Sequence, residues 1–185
     1  MRELHLRTLD PEGTRAVGAT VADAIRPGDV VALTGELGAG KTCFVQGAAV
    51  ALGVTDRVTS PSFVISREYD ARIPVVHLDV YRLDSLAEVV DLGFEEIFDR
   101  DRVTFVEWGD AMSPLLPPDH LEVEFRMEDP VPGALADDGV LAEPRRIAVR
   151  PHGHDWLRRL PALTGALAAY RAADPVAGHP RESGS

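Results

Sequence analysis

The chain has 185 residues, 45% of them apolar and 26% charged, which suits one ordinary globular domain with its own core. Its 19 cationic residues stand against 30 acids, a formal net charge of −11; this argues against a broad DNA- or RNA-binding face, which needs clustered positive charge. The single cysteine, Cys43, excludes a disulfide framework and a cysteine-rich zinc site; with no signal-peptide run and no apolar stretch of about 18 residues, a cytoplasmic protein without a membrane partner is expected.

Residues 4–9 (LHLRTL) alternate apolar and polar and read as an edge-type strand. Asp10-Pro11 supplies an N-cap acid and a proline at the first helical position, opening a helix to about Ile25 with Val17, Val21, Ala24 and Ile25 on one face. Turn chemistry at 26–29 leads into a short buried strand at 30–33, then GELGAGKT at 35–42 and a helix over 43–53 that Gly53 stops. VTSPSF (58–63) is a loop, because Ser60 precedes a proline, and FVISREY after it has strand character. In 74–82, Val76, Leu78 and Val80 face one way and His77, Asp79 and Tyr81 the other. A helix is expected over 85–98, strands over 103–108, 120–127 and 145–151, and a helix over 156–173 kinked at Pro161. Residues 1–173 are expected to form one domain, and 174–185 a disordered polar tail. Strand–helix alternation over the first 110 or so residues predicts a mostly parallel sheet, to which the last two strands add antiparallel edges.

GELGAGKT matches G-x-x-x-x-G-K-[ST] in the setting that motif requires, between an apolar strand and a helix. Gly35, Gly38 and Gly40 let the backbone curl with its N–H groups turned inward as a nest for phosphate oxygens, and the following helix aims its positive end at the same point. Lys41 reaches the outer phosphates, and the Thr42 hydroxyl suits Mg²⁺. Lys41 is the only lysine in the chain; a slim ammonium lies along such a loop where a planar guanidinium needs its own space. The lack of a second lysine also removes any N-K-x-D guanine-reading element and favours ATP over GTP.

Two predicted strands end in an acid, Asp79 and Glu107, and carboxyl ends of parallel strands gather beside the glycine loop. Glu107 is expected to share Mg²⁺ with Thr42, and Asp79 to position the attacking water or support the metal from behind. Thr59, Ser60, Pro61 and Ser62 form either a loop that senses the outer phosphate or an ordinary Ser/Thr turn. His77 reads as a core histidine that shares a face with Asp79, Trp108 as a core or partner-contact aromatic, His152 and His154 as a poor metal pair, and the arginines at 145, 146, 150, 158 and 159 as a solvated face.

The succession GELGAGKT, VTSPSF, HLDVYR, LGFEEIF and VEW resembles the bacterial TsaE (YjeE) ATPases over about residues 5–128. The resemblance implies a P-loop NTPase α/β fold, a central mostly parallel sheet flanked by antiparallel strands and helices. It implies an ATP- and Mg²⁺-binding protein, a weak ATPase alone, that supports threonylcarbamoyl transfer to adenosine in tRNAs reading ANN codons. Its partners would be TsaD and TsaB, with tRNA held indirectly through them. The family's catalytic positions map onto Lys41, Asp79 and Glu107, and its metal ligands onto Thr42 and Glu107. Its ATP/ADP contacts map onto Gly35, Glu36, Leu37, Gly38, Ala39, Gly40, Lys41, Thr42 and the adjacent Cys43, with Pro11 and Thr14 at the base. Cys43 and Ser62 stand where threonine is usual; Ser62 keeps the hydroxyl. Two other readings stay open: a P-loop kinase of small molecules or nucleosides, and a nucleotide-gated assembly factor with little need for hydrolysis.

Overall fold

The computed structural model describes residues 3–61, 65–81, 98–110, 112–129 and 142–172. In chain order the elements are β1 (Leu4–Thr8), α1 (Pro11–Ala22), β2 (Val30–Gly35), α2 (Lys41–Leu52), β3 (Ser66–Tyr69), β4 (Val75–Asp79), β5 (Val103–Glu107), β6 (His120–Met127), β7 (Arg145–His152) and α3 (Gly153–Ala166). The helix expected over 85–98 lies almost wholly outside the described residues, as do Ser62 and the tail.

The strands form one seven-stranded sheet in the order β1-β7-β6-β2-β5-β4-β3. β6, β2, β5 and β4 run parallel, and β3, β7 and β1 add antiparallel pairs at the flanks. β6 was expected at an edge; instead it lies parallel against β2, and its antiparallel partner β7 carries β1 on its far side. The order leaves β2 with parallel neighbours on both sides, so the loop that follows it opens between two rows of strand ends.

Helix α1 starts where its sequence says it should. The Asp10 carboxylate accepts from Gly13 N at 2.6 Å, and Pro11 takes the first helical position, where a missing N–H costs nothing. The helix ends at Ala22, and Ala24 and Ile25 turn back to bond Val21 and Ala22, so Ile25 reaches the core from a turn. α1 and α2 cross backbone to backbone. A Cβ on Gly18 would stand 2.2 Å from Phe44 O, and one on Gly47 1.9 Å from Arg15 O. α3 begins at Gly153, with the Asp119 carboxylate accepting from the backbone of His154, Asp155 and Trp156. It stops at Ala166 because the chain beyond must pair with β1: Ala172 N donates to His5 O at 3.0 Å.

The larger core lies between the helices and one sheet face, with Val17, Val21, Phe44, Leu52, Phe125 and Trp156 buried in it. A smaller cluster on the opposite face holds Val30, Val76, Leu78, Val80, Val106 and Met112. The period-two split of β4 is therefore real, but both faces are covered, so its polar side is buried too. On the β1-β7-β6 part of that opposite face, the outward side chains form ion pairs. Arg150 binds Glu3, Glu122 and Glu124, and Glu128 binds Arg7 and Arg146.

Candidate active site

β2 ends at Gly35, and the chain curls through the glycine loop into α2 at Lys41. Gly35, Gly38 and Gly40 take φ of 126°, 80° and 112°, values an L side chain rarely adopts, so glycine at these positions is what makes the curl possible. Glu36 and Leu37 are exposed on the outer bend, while Ala39 is buried and donates its N–H to Glu36 O at 3.2 Å. The Lys41 ammonium donates to the carbonyls of Gly35 at 2.6 Å and Glu36 at 2.8 Å, and lies 3.9 Å from the centre of the Trp108 ring. Burial pushes the Lys41 pKa down, against the pull of the Glu107, Asp79 and Asp110 carboxylates. An anion in the loop would compete with those carbonyls for the ammonium.

One turn of parallel register brings the acids together. Asp79 and Glu107 are direct partners on β4 and β5, both buried. Thr42, the second residue of α2, donates its hydroxyl to Glu107 Oε1 at 2.7 Å. The Ser60 hydroxyl donates to Asp79 Oδ2 at 2.6 Å, and Tyr81 N donates to Asp79 Oδ1 at 3.1 Å. The structure thus brings Lys41, Thr42, Asp79 and Glu107 to one place and ties the loop at Ser60 to it, with Thr59 half-buried and Pro61 buried alongside. A hydroxyl and a carboxylate side by side are hard oxygen donors. They fit Mg²⁺, which takes one or two protein carboxylates and fills the rest with water and substrate phosphate. Among the described residues no group of three or more His, Cys, Asp or Glu is arranged to hold a metal ion.

At the other side of the loop, Pro11 opens α1 and Thr14 is buried on its first turn. Thr14 Oγ1 donates to Asp10 O at 3.1 Å and lies 2.9 Å from Thr8 Oγ1, and the Thr14 methyl would touch a Cβ placed on Gly40. Cys43 is half-buried, one residue into α2 from Thr42.

Three residues enter the site in roles that sequence reasoning did not assign. His77 Nε2 lies 2.9 Å from Glu107 Oε1 with the ring fully buried, so it braces the carboxylate that meets Thr42; alternation along β4 had put it on the same side as Asp79. Trp108 has φ of 64°, a left-handed backbone that swings its ring under Lys41, where Tyr81 packs on it at 4.7 Å between centroids. Nothing in a lone E-W dipeptide signals that turn. Arg145 is buried against the glycine loop rather than solvated with its neighbours. The remaining arginines of that run behave as expected of a surface, except Arg159, which grips Asp29 with both terminal nitrogens. His152 bonds Glu122 at 2.9 Å and stacks on His120 at 4.2 Å.

Comparison with known proteins adds the following. The model of the family described as threonylcarbamoyl adenosine biosynthesis protein TsaE matches residues 8–131. The tRNA threonylcarbamoyladenosine biosynthesis protein TsaE of Bacillus subtilis (strain 168) is 44% identical over 127 residues, 68% of this chain and 79% of that protein. The protein of the same name from Streptomyces coelicolor is 39% identical over 146 residues, 77% of this chain and 93% of its own length. The crystal structure of Bacillus subtilis YdiB superposes with a TM-score of 0.70 at 34% identity, covering 88% of this chain and 95% of that one.

Proposed function

The chain belongs to the TsaE family, and from that premise we propose that it is a Mg²⁺-dependent ATPase. In this reading it works in the cytoplasm and supports threonylcarbamoyl transfer to adenosine in tRNAs that read ANN codons. TsaD, the transferase, and TsaB are its partners, and tRNA is held mainly by them, in keeping with the net charge of −11. The observation that carries the hydrolytic part is the meeting of Thr42 and Glu107 at 2.7 Å, at the positive end of α2 and beside Asp79.

The geometry supports the following roles in this reading. The loop N–H groups cradle the β-phosphate, and Lys41 leaves the Gly35 and Glu36 carbonyls to meet the outer phosphates. Thr42 and Glu107 would hold Mg²⁺, which when bound would supply positive charge beside the phosphate oxygens. His77 keeps the Glu107 carboxylate turned toward Thr42. Asp79 would orient the water that attacks the γ-phosphorus in line with the leaving β-oxygen, or support a bound metal from behind. Ser60, bonded to Asp79, links that acid to the loop after α2, so the loop can follow the fate of the γ-phosphate.

The test is a reconstitution with TsaD, TsaB, tRNA and a threonylcarbamoyl donor, reading ATP turnover and modified tRNA together. Glu107→Ala should abolish turnover and the Mg²⁺ dependence of nucleotide binding. Asp79→Ala should abolish turnover while nucleotide still binds. Full tRNA modification by Asp79→Ala would replace the ATPase reading with a nucleotide-gated assembly factor.

A further inference from the structure

We propose that Gln46, on α2, is a positioning residue for hydrolysis: its amide clamps the root of the loop that carries Ser60 to the helix that opens with Lys41 and Thr42. The inference rests on the ATPase reading above and concerns how that site keeps its parts in register.

Connectivity is the first argument. Gln46 Nε2 donates to Val58 O at 3.0 Å. Val58 is buried while Thr55, Asp56 and Arg57 before it are exposed, so the chain turns inward at this bond. Two residues later the Ser60 hydroxyl reaches Asp79 Oδ2 at 2.6 Å. Ile65 N donates to Pro61 O at 2.9 Å and Ile65 O accepts from Asp79 N at 2.9 Å, so Ile65 joins Pro61 to the end of β4. Thr42 lies one helical turn before Gln46, on the same face of α2, and bonds Glu107, the register partner of Asp79. The links close a ring: Gln46 to Val58, along the chain to Ser60, across to Asp79 and Glu107, and through Thr42 back to Gln46. Any shift of α2 as Lys41 and Thr42 engage a nucleotide enters the root of the loop at Gln46. Two residues of chain span at most about 7 Å, so a slip at Val58 is felt at Ser60 with little slack.

Chemistry is the second argument. Gln46 is half-buried, and Arg15 Nε donates to its Oε1 at 3.3 Å. With the oxygen facing a cation, the amide has to turn its NH₂ toward Val58 O, so α1 fixes which end of the amide meets the loop. A carboxylate at this position would keep the Arg15 contact and set an acceptor against the Val58 carbonyl. An amide that did no more than satisfy a buried carbonyl would act on stability alone; one that closes the ring acts on the rate through Ser60 and Asp79.

The experiment measures single-turnover ATP hydrolysis and, by calorimetry, ADP binding by the full chain. It compares the parent, Gln46→Glu, Gln46→Met, Ser60→Ala and each Gln46 variant combined with Ser60→Ala. Gln46→Glu and Gln46→Met should each slow hydrolysis about tenfold at saturating ATP, while ADP affinity stays within about twofold of the parent. Ser60→Ala should slow it as well, and each double variant should be no slower than the slower of its two single variants, because both changes open the same ring. Three results overturn the proposal: parental hydrolysis in both Gln46 variants, a loss of ADP affinity that matches the loss of rate, or losses that multiply in the double variants. Should Gln46→Glu melt far below the parent, Gln46→Met and its double variant decide. A parent protein that hydrolyses no ATP, alone or with TsaD and TsaB, would instead sink the ATPase reading itself.

Discussion

The Lys41 ammonium touches two carbonyls of its own loop and the face of Trp108, and has little room around it. A guanidinium is wider, planar and fixed in its donor directions, so it cannot follow a phosphate along the same track. Lys41→Arg should therefore keep the fold and lose about a hundredfold in ATP turnover, measured by phosphate release, although the charge is retained. His77→Ala would leave Glu107 without its buried neighbour; ATP turnover should fall while the melting temperature without ligand also drops, because a cavity replaces a fully buried ring. Lys41, Thr42, Asp79 and Glu107 were legible in the sequence because each sits at a fixed offset from a glycine loop or a strand end. Trp108 and Arg145 were not. One depends on a left-handed backbone at a non-glycine residue, the other on a strand pairing that no local spacing encodes.

At the scale of elements, α1 and α2 cross where two glycines face the partner's backbone, so the helices touch main chain to main chain. An added methyl at Gly47 meets Arg15 O, which has no rotamer to yield, and the helices must separate. Gly47→Ala should cost about 2–3 kcal/mol and lower the melting temperature by about 5 °C or more, by calorimetry. Since Lys41 and Thr42 open α2, the same shift should weaken nucleotide binding. Element type was readable from periodicity and caps: α1 from Asp10-Pro11, α2 from Gly53, β4 from its alternation. The place of β6 was not. Its alternation records one buried face and cannot say whether the neighbour runs parallel, and the neighbour is β2, some ninety residues earlier.

Across the whole molecule, the open face of β1, β7 and β6 is held by charge. On Glu124, burial pushes the carboxyl up, but hydrogen bonds from Arg150 and Arg126 outweigh it and leave it below its usual 4.5; Arg150 does the same for Glu3. A carboxyl lowered in the folded state contributes stability that is fully present above 4.5 and is lost as pH falls through the folded value. Partial exposure screens these pairs, so the contribution is about 1 kcal/mol. Urea unfolding should show Arg150→Ala less stable than the parent at pH 7, with the gap closing below about pH 4. The same three strands also constrain the order of assembly. Translation delivers β1 first, yet its mate is β7, where Leu4 lies opposite Val149 and Thr8 opposite Arg145. The parallel strands β2, β4 and β5 have one another by Glu107, while Leu4 and Leu6 wait for the last third of the chain to leave the ribosome. Nascent chains halted before Arg145 should present that first strand to chaperones and proteases, and residues that touch no nucleotide would then limit how much of the protein a cell accumulates.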